Sequence, residues 1–153
     1  MVGVEARRDQ LGLVEGGVAV ARGEPLLRRN LSDLIRRLSA IDGVRDLALT
    51  TNAVLLADHA QELWDAGLRR LNVHLDTLDR ERFAHITRRD QLDKVLLGID
   101  KALEAGFRIK INAVAVQNLV EPDIVPLARF GRERGIEVRY IEFMPLDSQG
   151  LWD

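Results

Sequence analysis

Ten polar residues fall where short apolar runs end or alternate: Glu24, Thr50, Thr51, Asn52, Asn72, His74, Asp76, Lys110, Asn112 and Glu142. Two carboxylates near a histidine and a lysine are the groups that general acid–base chemistry uses. The same groups can instead satisfy one another as a buried ion-pair network, with Lys110–Glu142 on neighbouring strands as the natural pair. Taken singly, each is better read as structural; gathered at strand ends, they are better read as a site. A histidine-held metal is not expected. His74 has no second histidine on a neighbouring strand tip, and His59 and His85 fall in helical segments, on the surface. No glycine-rich phosphate loop of the Walker or G-x-G-x-x-G kind is present, so a nucleotide would be held by strand tips and lysine.

The elements that must position these residues alternate between β-like and helical patterns. "GVAVA" and "DLALTTN" read as strands, as do "RLNVHLDTLD", "FRIKINAVAV" and "EVRYIEFM". Between them lie "NLSDLIRRLSAI" with Asn30 as N-cap, "DHAQELWDAG" stopped by Gly67, and the short "DRERFAHI". "DQLDKVLLGIDKALEAG" places Leu92, Val95, Leu96, Ile99, Ala102 and Leu103 on one face. The helix "EPDIVPLARFGRERG" carries Pro122 in its first turn, and Pro126 is tolerable only close to that turn. "PLDSQGLWD" trails off as a loop.

Repeated strand–helix units predict parallel strands joined by crossovers. Parallel strands covered on both faces should be apolar throughout. Here Leu71, Val73 and Leu75 oppose Asn72, His74 and Asp76, and Ile109, Ile111 and Ala113 oppose Lys110 and Asn112. A polar face shared by several strands fits a curved sheet lining a ligand cavity at its C-terminal strand ends. The expectation is therefore an α/β fold: a partial, incomplete TIM-like β/α barrel of about five parallel strands with outer helices. A flavodoxin-like open sheet is the competitor. A closed eight-stranded barrel needs more than 153 residues.

Bulk composition narrows the partners. Net charge is −2 and the basic pairs are dispersed among acids, so nucleic acid is not expected. No apolar run reaches bilayer-spanning length, and the charged N-terminus lacks a signal-peptide core, which makes a cytoplasmic location the expectation. The absence of cysteine removes disulfides, thiolate nucleophiles and thiolate-held clusters.

Six stretches come in a shared order: "GEPLLRRNL", "LALTTN", "LNVHLDTLD", "ITRRDQLDKVLLGIDKALEAGF", "KINAV" and "IEFMPL". In that order and spacing the chain resembles the radical S-adenosylmethionine GTP 3′,8-cyclases of molybdenum cofactor synthesis. The resemblance runs from Gly23 to Asp153, leaving 1–22 as a divergent leader and 23–153 as a partial barrel. It implies that Gly23, Glu24 and Pro25 receive the amino group of S-adenosylmethionine, a carboxylate at a strand end being suited to an ammonium. It further implies that Thr50 and Lys110 contact GTP, and that His74 and Met144 contact S-adenosylmethionine.

Departures are equally specific. Arg22 stands in place of the first glycine of the turn, Ala19 in place of a GTP-contacting arginine, Ala53 in place of a glycine, and His74 in place of a serine. The family's 4Fe-4S cluster is held by cysteines, and this chain has none. The expectation is a truncated cyclase-like protein that does not generate a radical by itself. The alternative is a non-catalytic S-adenosylmethionine- or GTP-binding module partnering a full-length homologue; a repurposed acid–base enzyme ranks last. Lack of a first barrel strand would leave an open edge and favour self-association.

Overall fold

The computed structural model describes residues 3–8, 14–20, 23–116 and 120–142. One six-stranded sheet runs in chain order: β1 (Gly3–Arg8), β2 (Val14–Val20), β3 (Val44–Thr51), β4 (Arg70–His74), β5 (Arg108–Ala115) and β6 (Glu137–Glu142). β1 is antiparallel to β2, and the other five strands are mutually parallel. The helices are α1 (Leu31–Ser39), α2 (Leu56–Asp65), α3 (Arg80–Thr87), α4 (Leu92–Ala105) and α5 (Ile124–Arg134).

Strictly sequential strand order decides between the two architectures. A doubly wound sheet reverses its strand order at a switch point and carries helices on both faces. Here each parallel strand adds next to the last, so successive crossovers fall on one face. That face holds the core: Leu49, Leu71, Val73 and Ile111 meet Ile35, Leu56, Leu63, Val95, Ile99 and Leu127. The opposite face carries Thr50, Asn72, Lys110 and Asn112, all half-buried. This is the partial-barrel arrangement with outer helices.

Three local expectations change. Asn30 precedes α1 in a left-handed conformation (φ +57°) and makes no side-chain cap, so the α1 start lacks the expected hydrogen bond. The segment from Glu121 divides into a 3-10 turn, Glu121–Asp123, and then α5, which puts Pro126 at the third helical position. There its missing N–H costs little, because the first helical donors have no intrahelical acceptor. The edge expected to be open is covered by β1, which pairs with β2 from Gly3↔Ala19 to Arg8↔Val14. No strand among the described residues pairs with the far side of β6.

Candidate functional site at the strand tips

The turn after β2 is built around one carboxylate. Gly23 has φ +57°, and Pro25 opens a 3-10 turn, Pro25–Leu27, with φ already set for it. Glu24 Oε1 accepts from the Leu26 N–H (3.1 Å) and from the Thr51 hydroxyl (2.7 Å), while Oε2 accepts from the Asn52 N–H (2.8 Å). Thr51 Oγ1 in turn accepts from the Ala53 N–H (3.0 Å), and Asn52 Oδ1 from the Val54 N–H (3.0 Å). Glu24 thus fastens the tip of β2 to the tip of β3. Oε2 retains one acceptor direction beyond these bonds.

Ala53 completes that loop at φ +61° and is fully buried. A left-handed alanine is strained by about 1 kcal/mol, which glycine avoids. Ala53→Gly is expected to raise stability by about 0.5 kcal/mol once the extra chain entropy of glycine is counted. Chemical denaturation of the two proteins side by side checks this.

A second polar pair lies at the end of β4. His74 Nε2 is 3.0 Å from Asp76 Oδ2, and Asp76 Oδ1 accepts the Val114 N–H of β5 at 2.7 Å. The hydrogen bond to Asp76 raises the His74 pKa above its ordinary value; burial opposes the shift and the Asp76 charge adds to it. Asp76 therefore does two jobs, clamping the β4 exit to β5 and holding the imidazole.

Glu24, Asn52, His74, Asp76 and Thr77 line one cavity of about 460 Å³, a volume in the range of small-molecule sites. Its apolar lining is Leu27, Val54, Leu55, Leu75, Phe83 and Ile86, and Thr87, Arg89 and Gln91 complete it. The wall from α3 is held in place by Arg82, which donates to both oxygens of the buried Asp123 (2.7 and 3.3 Å). Asp79 caps α3 through the Arg82 N–H. Nothing in the sequence pattern had singled out Phe83, Ile86, Arg82 or Asp123. The helical segment "DRERFAHI" and the stretch "ITRRDQ" are the sequence features that contain this wall.

Thr50 and Lys110 lie one rung lower, on the polar face of the sheet, and do not line the cavity. The ladder sets Thr50 beside Asn72, Asn72 beside Lys110 and Lys110 beside Glu137. Asn72 Nδ2 donates to Thr50 Oγ1 (3.4 Å), and Lys110 pairs with Glu137 at 2.9 Å. The expected Lys110–Glu142 pair is corrected by this register, which places Glu142 opposite Ala115. Hydrogen bonds from Arg139 and then Lys110 hold the Glu137 carboxyl below its ordinary pKa. Gly23 and Pro25 shape the turn around Glu24, whereas Met144 lies outside the described residues.

A profile of the radical SAM superfamily matches residues 5–131, most of the chain. The chain belongs to the radical SAM superfamily. Within it, the chain is similar to GTP 3′,8-cyclases. It is 54% identical over 136 residues to that of Rhodopirellula baltica, covering 88% of this chain and 38% of the relative. It is 49% identical over 139 residues to that of Ectopseudomonas mendocina, covering 90% and 42%. It is 40% identical over 154 residues to that of Staphylococcus saprophyticus, covering 100% and 45%. The chain thus spans about two fifths of the length of the curated relatives it matches.

Two solved structures share the fold. SuiB of Streptococcus suis bound to S-adenosylmethionine superposes with a TM-score of 0.69 at 20% identity, over 87% of this chain and 31% of that one. Methylornithine synthase gives 0.62 at 14%, over 74% and 34%.

Radical SAM enzymes use S-adenosylmethionine and a 4Fe-4S cluster, and the residues here fit the two groups unequally. The remaining acceptor direction of Glu24 suits an ammonium, and the apolar lining of the same cavity suits a nucleobase. The cluster does not fit: it needs thiolates, and the 153 residues include no cysteine. Among the described residues no group of three or more histidine, aspartate or glutamate side chains could hold a metal ion instead. No helix among them is long and apolar enough to cross a membrane.

Proposed function

We propose that this chain is a ligand-binding part of a GTP 3′,8-cyclase-like barrel, one that takes S-adenosylmethionine in the strand-tip cavity without cleaving it alone. Gly23, Glu24 and Pro25 would receive the amino group, His74 would border the cavity near the sulfonium, and Met144 is the remaining contact that the resemblance implies. Thr50 and Lys110, on the adjoining polar face, would meet GTP, with Lys110 exchanging Glu137 for an anionic oxygen. The single observation that carries this reading is the coexistence of an intact Glu24-anchored cavity with a complete lack of cysteine.

The cofactor's homolysis requires an electron that a cluster supplies, so the chain's own residues are left with binding and orientation. Anaerobic reconstitution with iron and sulfide, followed by incubation with S-adenosylmethionine and dithionite, tests this. The expected result is no cluster absorbance and no 5′-deoxyadenosine; appearance of either would refute the proposed division of labour. Calorimetry with S-adenosylmethionine and GTP tests retention of the pockets, and no heat from folded protein would remove the binding role.

A second reading, association with another copy or with a full-length homologue, draws support from β6. Its outer edge has no strand partner among the described residues, and Ile141 and Tyr140 are exposed there. Sedimentation velocity distinguishes the cases, a sharp monomer at all concentrations arguing against self-association.

A further inference from the structure

The cavity is lined by one histidine, His74. Its charged lining groups are Glu24, Asp76, Arg89 and, when protonated, His74. Glu24 spends three acceptor positions on its own turn and on the tip of β3. Asp76 is bound on one oxygen by the Val114 N–H and on the other by His74. The His74–Asp76 pair is neutral while the imidazole holds its proton and carries one negative charge after losing it. Around the pair, the β5 ladder partner of His74 is the uncharged Asn112. Farther along the polar face, Lys110 and Arg139 both pair with Glu137.

We propose that His74, clamped by Asp76, is a specificity-determining residue that sets which charge state of an adenosyl ligand this cavity accepts. With His74 protonated, the neutral pair offers no counter-charge to a sulfonium and presents an imidazolium to the cavity. The uncharged thioether S-adenosylhomocysteine, which shares the adenosyl and amino-acid ends, is then the better ligand. Loss of the proton leaves Asp76 unneutralised, and the sulfonium of S-adenosylmethionine gains relative to the thioether. The hydrogen bond to Asp76 moves this change to a higher pH than a free imidazole would show. The proposal rests on the reading of the cavity as an adenosyl site and deepens it.

Titration calorimetry of the full chain with S-adenosylmethionine and with S-adenosylhomocysteine, at pH values from about 6 to 9, tests it across the His74 range. The ratio of the two dissociation constants is the readout, with His74→Asn as the baseline for the ligands' own ionisation. The expected result is a preference for the thioether at low pH that shifts towards the sulfonium by about tenfold through the titration, beyond any shift in His74→Asn. A ratio that does not change with pH, or that changes equally in His74→Asn, overturns the proposal while leaving the adenosyl site standing. Heat from neither ligand overturns both. Should His74→Asn not fold, His74→Gln supplies the baseline in its place, with the same two outcomes deciding.

Discussion

Replacing Glu24 by alanine is expected to lower the unfolding free energy by about 3 kcal/mol. It is also expected to abolish binding of S-adenosylmethionine. The carboxylate accepts from Leu26, Thr51 and Asn52, and no other side chain in the turn can take over those bonds. Without it, the buried Thr51 hydroxyl loses its acceptor and the Asn52 N–H is left to solvent. Glu24→Gln separates the contributions. Its oxygen can still accept from Leu26 and Thr51, but its amide NH2 would face the Asn52 N–H, donor against donor. That variant should lose about half as much stability. Urea denaturation measures the first effect and calorimetry the second. A loss under about 0.5 kcal/mol in Glu24→Ala would mean that the strand tips are not held by this residue.

Gly98→Ala is expected to destabilise the protein by about 2 kcal/mol, although alanine is the better helix former by about 1 kcal/mol. A Cβ at position 98 would lie 2.6 Å from the Ala53 carbonyl oxygen and 3.0 Å from Leu56 Cβ, so α4 and the start of α2 cannot stay at their present separation. The clash falls on backbone, and on the same segment that fixes Asn52, Val54 and Leu55 in the cavity. Weaker ligand binding should therefore accompany the loss, even though Gly98 does not line the cavity. Thermal denaturation with and without S-adenosylmethionine reads both effects. A stabilised Gly98→Ala protein would show that the helices can part without consequence.

Both predictions concern the same junction seen from its two sides. Glu24 binds the β3 tip from the turn after β2, and Gly98 lets the helical layer approach the loop that follows that tip. The left-handed Ala53 sits between them, its N–H on Thr51 and its carbonyl against Gly98. Cavity geometry thus depends on Ala53 and Gly98, neither of which lines it, as well as on Glu24, which does.

Periodicity alone was sufficient for much of this. The alternation in "LNVHLD" and "IKINAV" places Asn72, His74, Lys110 and Asn112 on one face, because successive side chains of a strand must point opposite ways. The apolar face of α4 and the stops at Gly67 and Gly106 follow from equally local rules. The lack of cysteine is a fact of composition, and no fold could supply thiolates. Tertiary structure decided what depends on register and on distant chain. Lys110 meets Glu137 rather than Glu142, because the register of β5 on β6 sets Lys110 opposite Glu137 and Ala115 opposite Glu142, and that register is a long-range property. Residues before Gly23 supply β1 and β2; "GVAVA" marks β2 in the sequence, whereas its antiparallel pairing with Gly3–Arg8 leaves no local pattern. Glu24 was visible from the outset as a carboxylate at a strand tip. That its oxygens first bind Leu26, Thr51 and Asn52 could be decided only in three dimensions, since hydrogen bonds across 27 and 28 residues leave no local pattern.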